Sequence, residues 1–171
     1  MRASGPPRRI PRVSFDQWML ALHVLAAFSL VVGSTLFWVL VVAVRRIDTP
    51  DDTLRLGPVA RVGNATIGIG MGGTIILGIY LAFAVDGYAI WDGWIIAAIV
   101  LWVVGAALGR QVDEAFRQGP RKALELKQAG ENGPNAELLA LNRTSRGVLL
   151  HALTSAVLLL ILIDMIWKPG A

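Results

Sequence analysis

The sequence predicts an all-α integral membrane protein built as a four-helix transmembrane bundle. Four long stretches contain no Asp, Glu, Lys or Arg, namely Gln17–Val44, Val62–Val85, Gly93–Gly109 and Gly147–Ile163. A helix needs about 20 mainly apolar residues, at about 1.5 Å each, to cross a bilayer. The chain is also 55% hydrophobic and only 16% charged, whereas soluble domains carry about 25% charged residues. Run length and composition therefore indicate the same class.

The membrane domain is expected to cover 15–168 as a single unit. Its spans are predicted at about 17–44, 59–85, 89–109 and 147–167. The preceding segment, 1–14, is rich in Pro, Gly and Arg, which favours a disordered tail. The first apolar run is much longer than the roughly 7–15 residues of a signal-peptide core. We therefore expect this helix to be retained.

The distribution of Lys and Arg predicts the orientation of the bundle. Eleven of the 16 lie in the two connectors 45–61 and 110–146. Four lie in the tail, none lies in the loop around 86–92, and the remaining one is Lys168. Short basic loops stay on the cytoplasmic side of a membrane. We therefore expect both termini outside and both connectors on the cytoplasmic side of the membrane.

The connector 110–146 is the largest polar segment of the sequence. The third helix is expected to continue into it until Gly119-Pro120 ends it, because proline disrupts helices. A run of breakers at 130–135 separates two further short helical patterns. We expect a solvated, amphipathic connector near the lipid head groups. A docking surface for a partner is the alternative.

Small residues indicate where the helices can approach closely. Each span carries a pair spaced four apart: Ser29/Gly33, Gly68/Gly72, Gly105/Gly109 and Ala152/Ala156. The second span is the richest in glycine, so we expect it at the centre of the bundle. The segment Gly68–Gly73 also fits the dinucleotide pattern G-x-G-x-x-G, but that motif requires a strand before its helix. Here it lies in the middle of a span, which argues against nucleotide binding.

Ionisable side chains inside spans are costly, and they therefore mark candidate functional residues. His23 near the start of the first span and Asp164 near the end of the fourth are predicted in the same, outer layer. Met19 lies one turn before His23. A structural hydrogen bond between His23 and Asp164 is the favoured interpretation. A proton relay or redox role, or a copper site formed by Met19, His23 and Asp164, is the alternative.

The inner layer contains Arg61, Arg110 and His151, which are candidate contacts for an anionic ligand or a lipid phosphate. Arginines at helix ends otherwise extend to the head groups. His23 and His151 are predicted in opposite leaflets, roughly 15 Å or more apart across a core of about 30 Å. The sequence therefore argues against a haem or metal ion shared by these two histidines within one chain.

Several function classes are disfavoured by composition. The chain contains no cysteine, which excludes thiolate metal sites and iron–sulfur clusters. The net charge of +4 comes from basic residues beside apolar spans, so lipid head groups explain it better than nucleic acid. We find no nucleophile–base pattern and expect no enzyme. The expected partners are the lipid bilayer and a second copy or another membrane protein.

Both ends of the membrane domain resemble a known family. The first helix reads Leu22-His23-Val24-Leu25-Ala26-Ala27, with Gly33 further on and Arg45-Arg46 at its end. The fourth closes with Asp164-Met165-Ile166-Trp167-Lys168-Pro169-Gly170. These segments resemble the bacterial predicted integral membrane proteins grouped as domain of unknown function 2269. The resemblance implies a four-helix protein of a bacterial plasma membrane, from about Trp18 to Gly170.

The Leu22-His23 opening of the first helix also resembles copper-resistance D-type membrane proteins and one family of protoporphyrinogen oxidases. That resemblance implies a haem- or copper-linked role for His23 alone. The intramembrane lysine of the oxidase family has no counterpart, because no span of this sequence contains lysine.

Overall fold

The computed structural model describes residues 14–169, and every regular element in that part of the chain is a helix. The helices are α1 (Phe15–Val44), α2 (Pro50–Arg55), α3 (Gly57–Ala84), α4 (Gly93–Gln128), α5 (Ala136–Asn142) and α6 (Ser145–Trp167). Four of them, α1, α3, α4 and α6, supply segments long and apolar enough to cross a membrane. The predicted all-α four-helix membrane bundle is thereby confirmed. The predicted disordered tail lies outside the described residues, apart from Ser14.

Ser14 determines where α1 begins. Its hydroxyl accepts a hydrogen bond from the backbone N–H of Gln17 at 3.2 Å, and its own N–H donates to the Gln17 side chain at 2.8 Å. This reciprocal capping box satisfies backbone donors that a helix start otherwise leaves unpaired. The first span therefore starts at Phe15, just before the expected boundary at 17.

The four long helices form two antiparallel pairs, α1 with α3 and α4 with α6. The backbones of α1 and α3 come close at glycines: a Cβ on Gly70 would lie 2.7 Å from the backbone nitrogen of Leu30, and one on Gly33 would lie 3.1 Å from that of Ile67. Gly68 and Gly72 face open space. The second span is therefore not central as expected. Only some of its glycines lie on the face toward a neighbour, and that neighbour is mainly α1.

The two connectors pack together at one end of the bundle. Ala123 and Leu138 are fully enclosed there, with Leu126 and Leu54 packed against them. The backbone N–H of Asn135 donates to the carbonyl of Asp48 at 2.8 Å. We call this assembly of α2, residues 110–128 of α4, and α5 the connector unit. It is a packed element rather than the solvated connector expected from the sequence.

The predicted end of the third helix at Gly119-Pro120 is wrong, because α4 continues through Pro120 to Gln128. Proline in a helix interior costs roughly 3 kcal/mol, since it removes a hydrogen bond and crowds the preceding turn. The turns that follow Pro120 carry Ala123 and Leu126 into the core of the connector unit. The burial of these two side chains offsets the cost of the proline. A prediction from the local sequence does not include this burial.

The opposite end of the bundle is closed by the loop between α3 and α4. Trp94 and Ile95 form a buried cluster with Ala82, and Tyr88 and Met165 pack against it. The loop forms a turn before α4 starts at Gly93. The third span therefore begins later than the expected residue 89.

Candidate functional site

His23 lies half-buried between α1 and α3. A Cβ on Gly78 would approach its Cε1 atom to 3.1 Å, so the glycine leaves room for the imidazole ring. Within residues 14–169 its Nδ1 atom is buried and has no hydrogen-bond partner. Met19 is half-buried one turn earlier on the same helix. The ring nitrogen and the thioether therefore remain the two candidate ligands on α1.

Asp164 is only 8% exposed, in the last turns of α6. Its Oδ2 atom has no partner among the described side chains and backbone groups, and neither does Nε1 of the buried Trp94. The structure does not join His23 to Asp164 by the expected hydrogen bond. The physical reason is the pairing of helices: His23 faces α3, whereas α6 packs mainly on α4. In the described part of the chain, no group of three His, Cys, Asp or Glu side chains is placed to hold a metal ion.

The ammonium group of Lys168 packs against two aromatic rings close to Asp164. No sequence pattern predicted this contact. The Lys168 ammonium lies 4.6 Å from the ring centroid of Tyr88 and 5.4 Å from that of Trp94, and it also donates to the Tyr88 hydroxyl. Lys168 has a left-handed backbone conformation with φ of 42°, and its N–H donates to the Asp164 carbonyl. This contact closes the end of α6 on the α3–α4 loop.

His151 joins the two helix pairs at the centre of a polar cluster. Its Nε2 atom lies 3.3 Å from the carbonyl oxygen of Ser34, and its ring packs on Phe37 and Trp38 at centroid distances of 5.0 and 4.7 Å. Trp38 donates from Nε1 to the hydroxyl of Ser155 at 3.1 Å, and that hydroxyl donates to the His151 carbonyl at 2.9 Å. His151 is only 3% exposed. It was expected as an anionic or lipid contact, but enclosure by α1 leaves it inaccessible to either.

His23 and His151 belong to separate layers. His151 is level with Ser34 of α1, and His23 precedes Ser34 by about three turns, or about 16 Å along the helix axis. The two rings are therefore too far apart to share an iron or copper ion within one chain.

Arg61 on α3 and Arg110 on α4 are exposed, as is Asn64 one turn after Arg61. Neither arginine forms a salt bridge with a carboxylate of residues 14–169. The other Lys and Arg residues of the connector unit each form a salt bridge with a carboxylate, namely Arg55, Arg117, Arg121, Lys122 and Lys127. The accessibility of Arg61 and Arg110 fits the contact with an anionic group expected from the sequence.

Ion pairs link the segments of the connector unit. Lys127 lies 2.6 Å from Asp51, and Lys122 lies 2.7 Å from Glu137. The hydrogen bond from Lys127 lowers the pKa of Asp51, and the hydrogen bond to Glu137 raises the pKa of Lys122. These groups are solvent-exposed, so each pair contributes little to stability. The two pairs connect α2 and α5 to α4 at the surface.

Asn142 of α5 is a buried polar residue that joins this helix to α2 and to the segment between α1 and α2. It is 4% exposed, and its Nδ2 atom donates to the carbonyl of Ile47 at 3.0 Å and to the hydroxyl of Thr53 at 3.2 Å. Gly119 of α4 packs directly against its side chain, where a Cβ would collide with Oδ1. No local pattern singles out this residue, because its partner Ile47 lies 95 positions earlier in the chain.

Comparison of the chain with family profiles, characterised proteins and solved structures finds no match.

Proposed function

We propose that this is a non-enzymatic, multi-pass protein of a bacterial plasma membrane that acts by packing against or binding a partner protein. The observation that supports the proposal is the connector unit, which has a core and a fixed surface. A simple tether between membrane helices needs no buried side chains. Here Ala123 and Leu138 are fully enclosed, and ion pairs connect α2 and α5 to α4 at the surface.

A fixed polar surface held on membrane helices suits recognition of another protein. Partners of this kind are recognised by shape and by a few apolar anchors surrounded by polar groups. Leu124 is 50% exposed on the connector unit, in a segment otherwise rich in charged residues. We infer that the partner is a second copy of the chain or another membrane protein, and that it contacts this face.

Photo-crosslinking in native membranes tests the proposal. A photoreactive amino acid at Leu124 is expected to give a discrete protein adduct, and mass spectrometry of the adduct distinguishes a second copy from another protein. The same group at Trp91, which is 77% exposed at the other end of the bundle, serves as the matched control. Equal labelling from both positions, or lipid adducts alone at Leu124, would contradict the proposal.

A haem- or copper-linked role of His23 is the second candidate. It is supported by the unpartnered Nδ1 atom of His23 inside the membrane region, because an unsatisfied buried polar group costs about 1–3 kcal/mol. Met19 would be the additional ligand on the same helix. Asp164 could become a ligand only if α6 shifted toward α1.

Absorption spectra and metal analysis of the purified protein test this candidate. A Soret band or stoichiometric copper that disappears in His23→Ala would support it. Preparations without colour or metal from cells supplied with haem and copper would contradict it. Met19→Leu separates a thioether ligand from a packing residue, because a packing role leaves the spectrum unchanged.

We further propose that both termini face outside and that the connectors 45–61 and 110–146 are cytoplasmic. The excess of Lys and Arg in these connectors supports this orientation. The proposal for the connector unit then implies a cytoplasmic partner surface.

A further inference from the structure

Arg61 and Arg110 lie at the same depth on neighbouring helices. Trp102 of α4 donates from Nε1 to the carbonyl of Met71 on α3 at 3.2 Å, so these two residues are roughly level. Arg61 precedes Met71 by about 15 Å along α3, and Arg110 follows Trp102 by about 12 Å along α4. Because the helices are antiparallel, both steps lead toward the connector end. The two arginines therefore end within about one helical turn of each other in depth.

The two arginines also lie on the same side of the α3–α4 contact. At 3.6 residues per turn, the ten residues from Met71 back to Arg61 and the eight from Trp102 on to Arg110 each rotate the position by about 80°, toward the same side. We call the space between α3 and α4 on this side, from Trp102 to the connector end, the groove.

Arg61, Asn64, Gly68 and Met71 follow one stripe of α3, spaced three and four residues apart. A Cβ on Gly68 would meet nothing within 4 Å, and Asn64 is exposed. The helices thus diverge from the Trp102 contact, and the groove between them is open.

No carboxylate of residues 14–169 forms a salt bridge with the two arginines at the mouth of this groove. The helix α3 contains neither Asp nor Glu, and Arg61 and Arg110 form no salt bridge within the described chain. In contrast, Arg55 is paired with Asp52 and Arg121 with Glu114. Unpaired arginines beside an apolar groove at the membrane boundary match a ligand with a phosphate and an acyl chain.

We propose that the groove between α3 and α4 binds an anionic phospholipid, with its phosphate held by Arg61 and Arg110 and an acyl chain lying along Gly68. Asn64 donates a further hydrogen bond to the head group. A guanidinium binds phosphate oxygens in a bidentate manner, so two arginines at one depth can hold one phosphodiester from both sides. The site goes beyond the proposed partner-binding role and stands independently of it.

Native mass spectrometry of the purified protein with added lipid tests the proposal. We expect phosphatidylglycerol to be retained in preference to phosphatidylcholine. Arg61→Gln and Arg110→Gln should each weaken phosphatidylglycerol retention about fivefold, and the double variant more strongly. Arg55→Gln and Arg121→Gln are the matched controls, because they remove the same charge from paired positions outside the groove.

A substitution in the groove separates lipid from free anion. Gly68→Leu adds a side chain into open space, so it should fold and should reduce retention of the lipid without changing charge. Millimolar inorganic phosphate should not displace the bound lipid. Unchanged retention in the double arginine variant would overturn the proposal, as would full displacement by inorganic phosphate. Circular dichroism of each variant verifies that the helices are intact.

Discussion

Glycines in one helix of this protein have opposite roles that depend only on the direction they face. Gly70 allows the backbones of α3 and α1 to come close, whereas Gly68 lies beside an open groove. The sequence predicted close packing at small residues, and this is correct at Gly33. It also paired Gly68 with Gly72, which face open space. Spacing alone does not tell which side of a membrane helix meets protein, because both sides are apolar.

We expect Gly70→Ala to destabilise the bundle by about 1–3 kcal/mol, because the added methyl group would overlap the backbone of α1. Gly68→Ala should leave stability unchanged or raise it slightly, since alanine favours helix formation. Unfolding in detergent, followed by circular dichroism, measures both. Equal effects of the two substitutions would show that α1 and α3 do not pack at Gly70.

A second prediction concerns the buried amide of Asn142. Asn142→Ala leaves the carbonyl of Ile47 and the hydroxyl of Thr53 without their donor, at a cost of about 1–3 kcal/mol. Hydrogen exchange in α2 and α5 should accelerate by one to two orders of magnitude. The exposed Asn132 provides the matched control, and Asn132→Ala should leave exchange unchanged. Equal exchange in both variants would contradict a linking role of Asn142.

At the scale of elements, the two helix pairs are joined by local contacts, which combine apolar packing with hydrogen bonds. The pairs α1–α3 and α4–α6 have extensive interfaces, whereas α1 touches α6 and α3 touches α4 only locally. Trp38 and Trp102 donate hydrogen bonds across these two local contacts. Both tryptophans lie well inside their helices. Their depth follows from bonding between helices.

We expect Trp38→Phe and Ser155→Ala to be coupled in a double-mutant cycle by about 0.6 kcal/mol, the average for membrane hydrogen bonds. Steric trapping or detergent-induced unfolding provides the stability of each variant. Trp102→Phe with Ser155→Ala is the control pair, and its effects should add, because these residues do not share a bond. A coupling of zero between Trp38 and Ser155 would contradict the link between the pairs.

Helix boundaries show which elements local sequence determines. Breakers at 130–135 and the start of a helix near 136 were predicted, and the structure places α5 at Ala136–Asn142. The helix end predicted at Pro120 was wrong, because the burial of Ala123 and Leu126 offsets the cost of the proline. Their neighbours in this core include Leu54, which lies far away in the sequence. The short helix α2 was missed for the same reason, since its core partners are on α4 and α5.

At the scale of the whole molecule, apolar run length was sufficient to predict the fold class. The antiparallel order of the spans also predicted His23 and His151 in opposite leaflets. The predicted hydrogen bond between His23 and Asp164 does not form. The sequence predicts how deep each residue lies in the membrane, but it does not predict which neighbouring helix the residue faces. Two residues in one layer can still face different neighbours, and only the pairing of helices decides between these arrangements.

Cysteine accessibility checks the orientation of the whole bundle. The natural chain contains no cysteine, so single cysteines at Asp86 and Gln128 report without background, and both positions are exposed. In intact cells, an impermeant thiol reagent should label the cysteine at 86 and spare the one at 128, which should react only after permeabilisation. The reverse labelling pattern would invert the proposed orientation.

The burial of α2 against later segments has a consequence for biosynthesis. During translation the first helix pair emerges with Thr53 and Leu54 still uncovered, because their partners Leu138 and Asn142 are made much later. The folding of the first half of the chain therefore stays incomplete until nearly the whole connector 110–146 has left the ribosome. A chain truncated before Asn142 would present this uncovered surface to cellular proteases, which distinguishes incomplete products from complete ones.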